Sequence, residues 1–342
     1  MAEIIPLKRN KGDFEEAIIS LKTLCKEDLN SVDTLILEKL DSNVPLVQEI
    51  GKYLILSGGK RLRPLLTIAS FHLFENKNPS YNNHIGLASA VEFIHAATLL
   101  HDDVVDLSKD RRGKLTANEV WGNKTSVLVG DFLFSRSFQL MTKYGNIDTL
   151  KILSDTSVII SEGEVLEISN EKNLEISEDT YLKIINGKTA SLFSAACQVG
   201  GISAKAEKNE IEALHSFGTN FGMSFQLIDD ALDYDSDSKI LGKNLGDDFK
   251  EGKITLPIIL AYSRSNNKEK QFWKRVIANL IQNNNDFEEA LEIINKYNCI
   301  EDSITRAKHF ADVAIDSLGI FENNLYKKAL IKLIKDSIAR FN

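Results

Sequence analysis

Two short stretches of the chain repeat one arrangement of acids. His101-Asp102-Asp103-Val104-Val105-Asp106 closes a long apolar segment, and Phe225-Gln226-Leu227-Ile228-Asp229-Asp230-Ala231-Leu232-Asp233 closes another. On a helix, residues i and i+4 share a face, so Asp102 pairs with Asp106 and Asp229 with Asp233, while Gln226 lies one turn before Asp229. Like charges at that spacing cost a helix a few tenths of a kcal/mol, and acids set among apolar residues are costly to bury without partners. A hard divalent cation compensates both costs. Magnesium in particular takes one or two carboxylates, keeps several waters and shares substrate phosphates. Either pentapeptide alone fits a solvated helix end. Two copies, each followed by basic residues, point to carboxylates that grip metal ions across a cleft.

The cations are placed to hold an anion between those carboxylates. Ser57-Gly58-Gly59-Lys60-Arg61-Leu62-Arg63-Pro64 sets three cations in four residues, and its glycines permit close backbone approach. Asp110-Arg111-Arg112-Gly113 follows the first acid cluster directly, and arginine forks match phosphate oxygens bidentately. Gly187-Lys188-Thr189 and the stretch from Gly242-Lys243 to Gly252-Lys253 add three lysines and a hydroxyl. None of this is a Walker loop, because the four-residue gap between glycines and the preceding strand are both missing.

Such side chains need rigid supports, and the rest of the sequence supplies helices. Apolar residues recur at three- and four-residue spacing over Leu87 to Val105, Val127 to Met141, Ile152 to Ile168 and Phe217 to Leu232, while sustained two-residue alternation is not evident. Only five prolines interrupt the 342 residues, and Gly and Asn clusters punctuate them. The expectation is an all-α protein: a single helical bundle around a catalytic cavity, with an N-terminal arm or helix over residues 1–30 and a catalytic domain over 31–342.

A net charge of -8 argues against a nucleic-acid binder. The three cysteines, Cys25, Cys197 and Cys299, are too dispersed for a metal site and read as free thiols in a reducing compartment. No leader-like segment is apparent, and no apolar run reaches the roughly 18 residues of a membrane span. A soluble, cytoplasmic enzyme is expected.

With these residues in view, the chain resembles the trans-polyprenyl diphosphate synthases. The blocks that carry the resemblance are GGKRLRP (58–64), EFIHAATLLHDDVVD (92–106), RRG (111–113), VLVGDFLFSRSF (127–138), GKTA (187–190), FQLIDDALDY (225–234) and GKNLGDDFKEGKITLP (242–257). They run in the family's order and spacing from about residue 40 to the C-terminus; the long-chain quinone-tail branch is most similar. The resemblance implies the isoprenoid synthase fold, a homodimer and a set of three magnesium ions. It makes Asp102, Asp103 and Asp106 the first aspartate motif and Asp229, Asp230 and Asp233 the second, with Asp102, Asp106 and Asp229 as metal ligands. It assigns Lys60, Arg63, His95 and Arg112 to isopentenyl diphosphate, and Arg111, Lys188, Lys243 and Lys253 to the allylic diphosphate, with Arg61 also counted among the substrate-binding residues. Thr189 and Gln226 would stand beside the developing carbocation. A lone histidine in a helix is more often a core residue, but His95 lies seven residues before Asp102, on nearly the same face.

The implied reaction is a head-to-tail condensation of isopentenyl diphosphate onto an allylic diphosphate such as farnesyl diphosphate. The product expected is long, of octaprenyl size, for a quinone side chain, with transient membrane contact at its release. Small residues one turn before the first motif, Ala97 and Thr98, would leave the mouth of a product tunnel open, and comparison with long-chain relatives puts its floor at Met141 and Leu153. Two rivals share parts of the pattern. A class I terpene cyclase would not need the GGKRLRP block, and a non-catalytic subunit of a heteromeric synthase would typically have lost its acid motifs.

Overall fold

In the computed structural model, residues 11–74, 82–235 and 245–340 are described. Lys243, expected at the allylic diphosphate, lies outside them. The first helices are α1 (Lys11–Leu24), α2 (Lys26–Lys39), α3 (Pro45–Leu56), α4 (Leu62–His72) and α5 (Asn83–Val105). The middle of the chain forms α6 (Ala117–Trp121), α7 (Asn123–Tyr144), α8 (Ile147–Ser169), α9 (Glu178–Ile185), α10 (Ser191–Ser203) and α11 (Lys208–Leu232). The last are α12 (Asp247–Glu251), α13 (Leu256–Arg264), α14 (Asn267–Trp273), α15 (Asp286–Lys296), α16 (Cys299–Ser317) and α17 (Leu325–Ala339). The all-α expectation holds. Among the described residues the one departure is a two-residue hairpin, Asp110–Arg111 (β1) paired antiparallel with Lys114–Leu115 (β2).

Local chemistry starts and stops these elements. Asn146 and Thr149 exchange bonds in a capping box that opens α8, and the Ser177 hydroxyl caps α9. Proline occupies the first turn of α3 and of α13, where a missing N–H costs nothing. The hairpin turn is Arg112-Gly113, both at positive φ (55° and 75°), the backbone that a two-residue loop needs to match strand twist.

Packing divides into two apolar clusters. The larger one surrounds α5, which packs most extensively on α7, while α10 lies against both α4 and α11. It includes α1: Phe14, Ala17 and Leu21 are buried within it, and α2 runs unbroken across residue 30. The second cluster lies around the C-terminal half of α11, α13 and Trp273. Cys25, Cys197 and Cys299 are buried free thiols, with burial as the first cause pushing each one up, to about 12, about 12 and about 11 respectively. No described helix is long and apolar enough to cross a membrane.

Candidate active site

Both acid motifs sit at helix C-termini. Asp102 and Asp103 fall in the last turn of α5 and Asp106 is its C-cap; Asp229 and Asp230 fall in the last turn of α11 and Asp233 is its C-cap. The helix macrodipole is negative there, so each carboxylate adds to a potential that already favours a cation. A cavity of about 450 Å³ opens between them, lined by Asp106, Lys188, Thr189, Gln226, Asp230 and Lys253, among others. The structure therefore brings together both motifs and two of the predicted lysines.

The three positions of each motif differ in partners. The middle acids are tied into the protein. Asp103 is 1% exposed and receives the Arg111 fork, with Nε and Nη2 donating to Oδ1 at 2.9 and 2.7 Å. Asp230 is bracketed by Tyr181, whose hydroxyl donates to Oδ2 at 2.5 Å, and by Gln226, whose amide donates to Oδ1 at 2.7 Å. Gln226 in turn accepts from the Thr189 hydroxyl at 2.9 Å. Burial is the first cause pushing the Asp230 carboxyl up, against the pull of those two donors.

Of the outer acids, Asp106 lines the cavity. Burial first, then Glu164 and Asp106, push Asp102 up to about 7, so its charge is undercompensated by the protein. Asp106 Oδ2 is 3.9 Å from the Lys253 ammonium. Asp229 accepts from Arg340 Nη2 at 2.7 Å, and Asp233 accepts from the Asp248 backbone N–H at 3.0 Å. Hard oxygen donors in mutual repulsion are the donor set that a divalent cation fits. Asp102, Asp106 and Asp229 could each offer oxygens to one.

Lys188 owes its position to a backbone irregularity. Asn186–Ala190 is a π-helical turn between α9 and α10, a feature frequent at functional sites. Its Gly187 packs against Gly163 of α8 so closely that a Cβ on Gly187 would meet the Gly163 Cα at 2.9 Å. This contact brings Lys188 to Glu164, at 2.8 Å, and to Glu167. Burial opposes the Lys188 charge, but Glu167 and Glu164 more than offset it and hold the ammonium above the ordinary lysine value.

A second group of cations, none of which lines this cavity, stands around the Gly58-Gly59 turn. Arg63 donates to His95 Nε2 at 3.2 Å and lies 4.8 Å from the Phe193 ring centroid. Because Arg63 can only donate, that nitrogen accepts. Burial and then the Arg63 and Arg112 charges hold His95 well below its ordinary value, so it stays neutral. Arg112 donates to the Gly58 carbonyl, and burial followed by Arg111 lowers its basicity. Lys60 lies 4.8 Å over the Phe14 ring, which brings α1 beside this group. Arg61, held at φ 55°, turns the other way and pairs with Glu92 at 2.5 Å and with the Ile55 carbonyl. Crowded guanidinium groups that lower one another's basicity favour a bound anion.

Ala97, Met141 and Leu153 are buried in the larger apolar cluster, and the Thr98 hydroxyl bonds back to the His95 carbonyl. None of the four lines the 450 Å³ cavity. Sequence reasoning passed over Glu164, Glu167, Tyr181, Asp248 and Arg340. The two glutamates carried a signal: i, i+3 acids on one apolar helix, opposite a lysine that needs counter-charge. Arg340 carried none.

An all-α fold with two aspartate-rich helix ends and lysines over one cavity defines an isoprenoid diphosphate synthase. The chain belongs to the polyprenyl synthetase family, whose model matches residues 44–294. It is 41% identical over 323 residues to octaprenyl diphosphate synthase of Escherichia coli, an alignment covering 94% of this chain and 98% of that one. The fold superposes on a decaprenyl diphosphate synthase from Rhodobacter capsulatus with a TM-score of 0.91 at 44% identity, covering 95% and 99% of the two chains. A polyprenyl synthase from Caulobacter crescentus, in complex with calcium and isoprenyl diphosphate, gives a TM-score of 0.89 at 44% identity, with 94% and 98% covered. The chain is thus an enzyme, a prenyltransferase of the trans-polyprenyl diphosphate synthase class.

Proposed function

We propose that this enzyme uses magnesium to add isopentenyl diphosphate units, head-to-tail and trans, onto an allylic diphosphate such as farnesyl diphosphate. The product is a long all-trans polyprenyl diphosphate of octaprenyl length for a quinone side chain. The observation that carries this reading is the pair of acid-tipped helices facing Lys188 and Lys253 across one cavity.

Three magnesium ions on Asp102, Asp106 and Asp229 would supply Lewis-acid neutralisation of the leaving diphosphate. The chain's own residues do the rest. Lys188 and Lys253 meet the allylic diphosphate as its C–O bond breaks, where negative charge develops. Lys60, Arg63, Arg112 and neutral His95 orient isopentenyl diphosphate. Its double bond attacks the allylic carbon. Thr189 and Gln226, held by Asp230 and Tyr181, present oxygen dipoles to the cation. The proton lost from the new chain goes to the released pyrophosphate, since no side chain stands in place as a base. Apolar lining residues such as Ile185 and Ile277 exclude water from the cation.

The working unit is a cytoplasmic homodimer. Leu128 and Phe138 on α7 and Val158 and Val165 on α8 are exposed, a supply of apolar surface for a second copy. The decisive experiment supplies magnesium, labelled isopentenyl diphosphate and farnesyl diphosphate, then sizes the dephosphorylated products. A ladder ending at octaprenyl is expected, and one ending at fifteen or twenty carbons would refute the long-chain reading. Ala97→Tyr is expected to shorten the ladder sharply because the ring fills volume the tail must cross. Met141→Ala should lengthen it modestly. An active Ala97→Tyr with an unchanged ladder would place the tunnel elsewhere.

A further inference from the structure

Far from the acid motifs, three side chains from three helices converge on one point. Asp28 of α2 offers Oδ2 to His72 Nε2 of α4 at 2.6 Å and to His84 Nε2 of α5 at 3.1 Å. The ligand-type atoms of the three all lie within 4.8 Å of one another. His84 and Asp102 share α5 but are 18 positions apart, about 27 Å along the axis. The mechanism uses none of these three residues.

We propose that Asp28, His72 and His84 form a second metal site, for a borderline divalent cation such as zinc. The donor set is two imidazoles and one carboxylate, which suits zinc and its neighbours and leaves a position open for water. Magnesium, which prefers oxygen donors, is not the ion this set selects. Donor atoms on a tetrahedral zinc stand about 3.3 Å apart; the Asp28 carboxylate is 2.6 and 3.1 Å from the two imidazole nitrogens, and all three atoms lie within 4.8 Å of one another. Both rings are already fixed. His84 stacks on Phe71 with centroids 3.7 Å apart, and His72 stacks on Tyr326 at 4.6 Å. His84 is buried, while the side chains of His72 and Asp28 are each 25% exposed, which gives an ion a way in from one side. An ion there would pin α2 to α4 and α5, a joint otherwise closed by shared protons.

The test uses the full chain in excess Mg2+, which fills oxygen sites and leaves imidazole sites open. Co2+ is titrated and followed by its d–d absorption, then Zn2+ by competition with a chromophoric chelator. Stoichiometric binding, one ion per chain, and a melting temperature that rises with Zn2+ are expected. Asp28→Asn, close to isosteric, and His72→Gln should each weaken Zn2+ at least about tenfold, the loss that even an outer partner of a ligand typically causes. Both should keep wild-type prenyl transfer, because neither residue touches the site of reaction. No stoichiometric Co2+ or Zn2+ in the wild-type chain would overturn the proposal, leaving a hydrogen-bonded triad. So would equal affinity in Asp28→Asn, whose fold is checked independently by its circular dichroism.

Discussion

The two aspartate motifs have the same spacing and the same seat at a helix C-terminus, yet the protein treats them differently. At the second motif every acid already has a protein donor. Arg340 holds Asp229, Tyr181 and Gln226 hold Asp230, and a backbone N–H holds Asp233. At the first motif, among the described residues, only the middle acid accepts a side-chain hydrogen bond, from Arg111, while Asp106 has the Lys253 ammonium at 3.9 Å. Asp102 is left beside Glu164 and Asp106 with its carboxyl pushed up to about 7, burial being the first cause. Equal sequence spacing therefore does not mean equal readiness for a metal. The first motif has a standing deficit of positive charge, whereas the second must exchange a protein cation for an ion.

The strongest way to break this comparison is to remove one ligand from each side. Asp102→Ala and Asp229→Ala should each lower turnover by roughly 10²–10³, the loss typical of one missing electrostatic contact at a transition state. Circular dichroism should stay helical in both. Turnover close to wild type at saturating magnesium, in either variant, would contradict the metal assignment on that side.

Next in size is the division between the two cationic groups. Lys60→Ala should mainly raise the KM for isopentenyl diphosphate, and Lys188→Ala mainly that for the allylic partner. A charged hydrogen bond contributes about 1.5–3 kcal/mol, so each shift should be about ten- to a hundredfold. Lys188→Ala also strands Glu164 and Glu167, so part of its effect should be recovered in the Glu167→Gln background. Identical substrate profiles for the two lysine variants would show that the groups are not separate sites.

A smaller effect is expected from the middle acids, where the side chains position others. Tyr181→Phe removes one donor from Asp230 and loosens Gln226 and Thr189 behind it. It should lower kcat about tenfold with KM nearly unchanged, since the dipoles at the cation are disturbed and the diphosphate contacts are not. A change confined to KM would remove Asp230 and Tyr181 from that role.

Much of this site was readable beforehand because helices advertise buried faces. Apolar spacing found α5, α7, α8 and α11 but started each late, at Leu87, Val127, Ile152 and Phe217, where the helices begin at Asn83, Asn123, Ile147 and Lys208. The opening turns carry polar residues, Asn123-Lys124-Thr125 and Lys208-Asn209-Glu210 among them, and so add nothing to an apolar stripe. The acid and basic blocks were legible because clustered like charges are conspicuous. The π-helical turn was not, since it arises from the approach of Gly187 to Gly163 across two helices. Arg61 looked like its neighbours Lys60 and Arg63, and only the fold shows it turned to Glu92. Arg340 is a single arginine near the chain end, and nothing local distinguishes it from a solvated one.

The most sensitive probe of the comparison is stability without metal. In Mg2+-free buffer containing a chelator, Asp102→Asn should raise the melting temperature, because it removes a carboxylate that faces Glu164, Asp106 and the negative end of α5. Those terms come to about 1 kcal/mol. Asp229→Asn should act in the opposite direction. It leaves the Arg340 guanidinium, whose side chain is only 9% exposed, without its charged partner. Breaking a fully buried pair costs about 3–5 kcal/mol; Asp229 is 29% exposed, so solvent screening reduces the expected loss to about 1–2 kcal/mol. Adding Mg2+ with a diphosphate should reverse the advantage of Asp102→Asn, since the wild-type chain then gains a ligand-bound state that the variant forms poorly. Shifts of the same sign for both variants in chelator would show that the two motifs are electrostatically equivalent, and Arg340 would then be an incidental neighbour of Asp229.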